Sequence, residues 1–210
     1  MALVNHYPYR LTDKIMSINA KKIQVRKHVK LASDEDWKCK LDIWKVNESW
    51  SEDCKAAFKE LSNLGDDWVQ VAVICQDPER RCYFNCHDQQ DKVFSIAMFY
   101  SKSRNRIRGI AQFGPYSQSA SGVVHTGAIA TIVDTVSGIL INLICVAVTI
   151  SMTLRFKQIL LTEESAQFNC WIERTEGKKA IVKMVITSID KGRTFAEGES
   201  VWMIPKNGNV

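Results

Sequence analysis

From residue 93 onward the chain alternates apolar and polar positions in short runs, and one long apolar stretch without alternation interrupts them. Residues 93–100 are rich in β-favouring types and residues 101–105 form a polar link. Arg106–Phe113 then sets Ile107, Gly109, Ala111 and Phe113 against Arg106, Arg108, Ile110 and Gln112. Two such runs across a short link predict a hairpin. Further on, Val148, Ile150, Met152, Leu154 and Phe156 alternate with Thr149, Ser151, Thr153, Arg155 and Lys157. This is the pattern of a half-buried strand with an apolar and a polar face. Three more runs, near 165–174, 179–189 and 194–204, are separated by Gly-containing links at 176–178 and 190–193. Links of that length predict hairpins again.

The interruption is residues 114–134, GPYSQSASGVVHTGAIATIVD. Gly, Ser and Pro are dense up to Gly122, after which His125, Thr126 and Gly127 open an apolar segment. The pattern predicts a helix from Thr126 whose first backbone N–H groups face a turn-rich loop, where the macrodipole favours negative charge. Asp134 lies about two turns into that helix. A carboxylate in an apolar setting is costly to bury and usually has a job.

Upstream, Trp50, Cys54, Phe58, Leu61 and Leu64 recur at spacings of three and four, with Gly65 as a stop. They predict an amphipathic helix with Ser49 as its N-cap and Trp50 and Phe58 as anchors on a downstream layer. Residues 66–91 give only a short apolar run at 69–75 and a charged turn at 77–81, and residues 1–45 show no sustained period. The expected organisation is a basic arm (1–45), a helical extension (46–91) and a main domain (92–206). Two strands, a central helix and four strands make that domain α+β, an antiparallel sheet wrapped around a helix.

Charge and cysteine usage modify this picture at its edges. The net charge is +5, and between Arg10 and Lys30 seven basic residues face one acid, Asp13. A mitochondrial presequence would be basic too, but rich in Arg and Ser where Lys dominates here, so mitochondrial and cytoplasmic locations both stand. No secretory apolar region follows the first positive charges. Seven cysteines without regular spacing argue for a reducing, intracellular compartment over a disulfide framework. Cys75, Cys82, Cys86 and His87 are metal-ligand types, but gaps of six and three residues and an adjacent ligand pair suit zinc poorly, so no metal or cofactor is expected. Residues 135–154 are uncharged and long enough to span a bilayer. Asp134, Asn142 and the change to period two after Val146 favour instead a buried helix running into a strand, with no transmembrane segment. The arm lacks interleaved aromatics, which argues against nucleic acid as a partner.

The residues from Phe94 to about Lys206 resemble the hotdog-fold acyl-coenzyme A thioesterases, most nearly the subgroup of thioesterase superfamily members four and five. The resemblance is carried by GPY at 114–116, HTGAIATIVD at 125–134, TISMTLRFK at 149–157 and the EGKK turn at 176–179. WKVNESWSEDCKAAF, at 44–58, extends it upstream. It implies a hotdog fold and a homodimer or higher homo-oligomer with active sites between subunits. The substrate it implies is a medium- to long-chain fatty acyl-CoA, within fatty acid and lipid metabolism. The resemblance makes Asp134 the general base or nucleophile and the Gly127 N–H the group that polarises the thioester carbonyl. It places His125 in the same site and has Thr149 of the partner subunit positioning water. Arg155, Lys157, Lys178 and Lys179 fall where coenzyme A is contacted. Where the family usually has His-Gly-Gly this chain has Thr126 in the middle, and a Cβ there would restrict the backbone if φ had to be positive. The subgroup also has a kinase-modulating member. A catalytically weak, protein-binding regulator, with the basic arm and the Trp50 helix as contact surface, is therefore the alternative.

Overall fold

The structure, a computed structural model, describes residues 29–31, 46, 48–73 and 93–205. Two α-helices are present among them, α1 (Glu52–Ser62) and α2 (Thr126–Asn142), with a 3-10 turn at Pro115–Ser117. The strands are β1 (Val29–Leu31), β2 (Trp68–Val73), β3 (Phe94–Ser101), β4 (Arg106–Phe113), β5 (Gln118–Ala120), β6 (Val123–Val124), β7 (Val148–Phe156), β8 (Ser165–Glu176), β9 (Lys179–Ser188) and β10 (Thr194–Met203). Eight of them form one antiparallel sheet in the order β1-β2-β3-β4-β8-β9-β10-β7, and β5 and β6 pair separately. The expected α+β plan of a sheet wrapped on a central helix is what forms. The sheet also continues across the boundary expected near residue 92, because β2 pairs with β3. Apart from Val29–Leu31, the basic arm (1–45) lies outside the described residues, as does the Cys75, Cys82, Cys86 and His87 cluster.

Each face of the sheet buries a different helix. Residues of α2 at helical spacing, Ile129, Ile132, Val133, Val136 and Leu140, meet Ile107, Ala111 and Phe113 of β4 and Phe168, Val182, Met184 and Ala196 of the later strands. Close approach of the helix depends on small residues. A Cβ at Gly138 would stand 2.9 Å from the Trp202 ring, and one at Gly198 would stand 2.6 Å from Val133. On the opposite face, Trp50, Cys54, Ala57 and Leu61 pack on Ala97, Phe99 and Ile110. Trp50 is only 3% exposed, so the stripe expected to serve as a contact surface for a partner is used inside the chain.

The cap of α1 is Ser51 in place of the expected Ser49: its Oγ accepts from the Cys54 N–H at 3.2 Å. Ser49 has a different task, because its carbonyl accepts from Gln112 Nε2 (3.0 Å) while Gln112 Oε1 accepts from the Ser51 N–H (2.7 Å). The side chain of β4 thus sets where the helix begins. At the other end of the uncharged run, Asn142 Nδ2 donates to the Gly138 carbonyl (2.8 Å) and its Oδ1 accepts from the Ala147 N–H (3.1 Å). The helix ends there and β7 begins at Val148. Among the described residues no helix is long and apolar enough to cross a membrane.

Candidate active site

The loop entering α2 is tied down on both sides. The Ser117 carbonyl accepts from the His125 N–H at 2.6 Å, and the Leu160 carbonyl accepts from the Val124 N–H at 2.9 Å. His125 is the extended N-cap residue, and its Nδ1 accepts the Gly127 N–H at 2.8 Å. An imidazole nitrogen here plays the part a Ser or Asp oxygen usually plays at an N-cap. It can do so only with Nδ1 unprotonated. The donor expected to polarise a carbonyl is therefore engaged by the neighbouring ring. A Cβ at position 127 would lie 2.8 Å from that same Nδ1, which accounts for glycine there. Thr126 is the first helical residue, and the non-glycine residues with positive φ among those described are Asn105 and Lys191. The restriction anticipated for a Cβ at Thr126 does not arise.

Asp134 is half-buried and accepts a hydrogen bond from Thr149 Oγ1 at 2.9 Å. Both belong to the same chain, which corrects the expectation that this Thr comes from a partner. It also corrects the placing of Thr149 on a polar strand face. The register of β7 against β10 shifts between Val201 and Trp202: Val201 faces Ser151, and Trp202 faces Thr149. Ile150 is the extra residue of a β-bulge, and the bulge turns Thr149 towards the helix. Gly127 and Asp134 are seven residues apart on one helix, so about 10 Å of helical rise separates donor and carboxylate.

The four expected coenzyme contacts do not gather around Asp134. Arg155 faces Glu197 across the ladder and lines a recess of about 390 Å³ with Lys183, Glu197 and Glu199, on the sheet face away from α2. Lys157 Nζ pairs with Glu197 at 3.1 Å. Lys178 and Lys179 are exposed at the β8–β9 turn, where Gly177 supplies a φ of +58°. Lys179 does share a cross-strand row with Met203 and Val148, the residue next to Thr149, about two strand spacings away. Among the described residues no group of three or more His, Cys, Asp or Glu is arranged to hold a metal.

Residues 121–194, which run from the α2 loop through β9, match the family model described as the thioesterase superfamily. This region is a thioesterase-superfamily domain. Its hotdog core is the α2 helix with the sheet around it. Across a longer span the chain is similar to "Acyl-coenzyme A thioesterase THEM4" of Mus musculus, 26% identical over 181 residues, covering 75% of this chain and 79% of that protein. To the protein of that name from Rattus norvegicus it is 27% identical over 198 residues, covering 83% of this chain and 86% of that one. A hypothetical thioesterase protein of Streptococcus pneumoniae TIGR4, solved with coenzyme A, overlays with a TM-score of 0.48 at 16% identity, over 58% of this chain and 91% of that one. Two features of the fold were not legible in the sequence: the clamp from Gln112 to residues 49–51, and a cluster of arginines and tryptophans on the outer sheet face. Alternation put Arg106 and Arg108 on the solvent side, but only strand register brings Trp171 and Asn169 beside them.

Proposed function

We propose that the chain is an acyl-CoA thioesterase that hydrolyses medium- to long-chain fatty acyl-CoA, acting as a homodimer in the mitochondrion or cytoplasm. The observation that carries this reading is the Thr149–Asp134 hydrogen bond beside the exposed β7 edge. The bond leaves the second carboxylate oxygen without a hydrogen-bond partner among the described residues. In the reaction Asp134 takes a proton from water while the water oxygen bonds to the thioester carbon. The carbonyl oxygen becomes an oxyanion, and a backbone N–H donor at a helix start stabilises it by about 3 kcal/mol. The C–S bond then breaks, and the proton held by Asp134 passes to the thiolate, giving free fatty acid and coenzyme A.

Because donor and carboxylate on one helix are about 10 Å apart, the Gly127 that completes each site comes from the second chain. Asp134 and Thr149 act as one unit, and the substrate approaches Asp134 across β7. Lys178 and Lys179, at the nearby end of the sheet, are the lysines best placed for coenzyme phosphates, whereas Arg155 and Lys157 are held by Glu197 or face away. The similarity to the THEM4 proteins supports the same reaction class.

One observation favours the alternative of a catalytically weak regulator: the Gly127 N–H is held by His125. Thiol release from acyl-CoA of several chain lengths separates the two readings. Asp134→Asn is expected to lower kcat by at least about 100-fold, the scale of losing a general base. If wild type and Asp134→Asn release coenzyme A equally slowly, the enzyme reading fails and the regulator reading stands.

A further inference from the structure

On the sheet face opposite α2, beyond the edge of α1, a recess of about 440 Å³ is lined by Arg104, Arg106, Arg108 and Lys191 and by no carboxylate. A volume of this size suits a small organic ligand. Two indoles stand in the same cross-strand row, Trp68–Ser101–Arg106–Trp171, with Arg106 between them. The Arg106 guanidinium lies over the Trp171 ring at 5.6 Å and that of Arg104 over Trp68 at 6.0 Å. Trp171 is itself fixed, because its Nε1–H donates to Glu173 (2.8 Å), which also accepts from Lys183 (3.0 Å). The Arg106 guanidinium is therefore presented on a ring that is itself held in place.

Unmet hydrogen bonding points the same way. Arg106 Nε and Asn169 Oδ1 are shielded from water yet have no hydrogen-bond partner among the described residues. Buried polar atoms are rarely left so, and a bound water or ion is one standard reason. Neither Arg106, Arg108 nor Lys191 has a carboxylate partner among the described residues. The acid near Arg104, Asp67, already accepts from Ser101 and Ser103. Guanidinium forks match phosphate oxygens, and half-exposed indoles match a heterocyclic base. An extended polymer would need a track, and this site is one open recess of limited extent.

We propose that this outer-face recess binds a nucleoside phosphate, its phosphates on Arg104, Arg106, Arg108 and Lys191 and its base against Trp68 or Trp171. The proposal goes beyond the thioesterase reading and does not depend on it. The ligand is either a free nucleotide or the nucleotide end of coenzyme A. The full chain is titrated with a fluorescent ATP analogue, with unlabelled ATP, inorganic tripolyphosphate, adenosine and desulfo-coenzyme A as competitors.

Saturable binding is expected, with ATP a better competitor than tripolyphosphate and adenosine the weakest. Arg104→Glu and Lys191→Glu alter exposed side chains and are expected to fold, as circular dichroism will verify. Each is expected to weaken binding at least about tenfold, the scale of losing one charge-assisted contact. Competition by desulfo-coenzyme A equal to that of ATP would make the coenzyme the source. Competition by ATP alone would make it a free nucleotide. The proposal is overturned by an absence of saturable binding, by binding that neither substitution changes, or by tripolyphosphate matching ATP.

Discussion

A methyl group at Gly109 would collide with the Phe168 ring and with the Ala97 carbonyl. Gly109 faces Phe168 across the β4–β8 ladder and Met98 across the β3–β4 ladder, so the ring lies over bare backbone in the middle of the sheet. Gly109→Ala is therefore expected to destabilise the fold by about 2–3 kcal/mol, as overpacked cores do. Urea unfolding checks this, and an unchanged midpoint would mean that the ring moves aside freely. The sequence showed Gly109 on the inward side of an alternating strand, but the reason for glycine lies 59 positions later in the chain. Asp134 shows the same limit. That it has a task was legible from a lone carboxylate in an apolar helix. That Thr149 of its own chain holds it was not, because a bulge at Ile150 reverses the face that simple alternation assigns.

At the scale of elements, local signals worked where the determinants were local. The two Gly-containing turns placed the β8–β9 and β9–β10 hairpins, and the polar link placed β3–β4. Strand β2 was less legible, since a six-residue apolar run without a turn signal fits a strand or a buried helix equally. For α1 the period was clear and the start was not. Ser49 and Ser51 are both good caps by type, and Gln112 decides between them from another strand. Ser51 also exchanges a hydrogen bond with Ser165 Oγ at 2.7 Å, so its hydroxyl joins the helix cap to β8. Ser51→Ala is expected to cost about 1–2 kcal/mol through the lost cap and the stranded Ser165 hydroxyl. The midpoint of urea unfolding should fall with no change in slope. The prediction fails if Ser51→Ala melts with the wild type while Ser49→Ala does not.

At the scale of the whole molecule, the sheet ends in β7, which pairs only with β10 in the strand order. It is nine residues long, contains no proline, and exposes Ile150, Met152 and Phe156 by 39%, 37% and 45%. An open, apolar edge of that kind invites a second strand, and a two-fold pairing would cover it and Asp134 together. The consequence can be tested by mixing two inactive chains. Gly127→Pro removes the N–H itself at the first helical turn, where proline suits the backbone, and the His125 ring must swing aside to admit it. Asp134→Asn removes the base. If each site takes Gly127 from one chain and Asp134 from the other, a mixed dimer holds one site with both defects and one intact site. After joint refolding, activity should recover to about one quarter of wild type, since random pairing of a two-fold dimer makes half the dimers mixed. If Gly127 and Asp134 of the same chain formed a site, every site would carry one defect and mixing would restore nothing. Circular dichroism of each variant alone separates either result from misfolding. The outcome thus reads directly whether the 10 Å between donor and base is bridged by a partner.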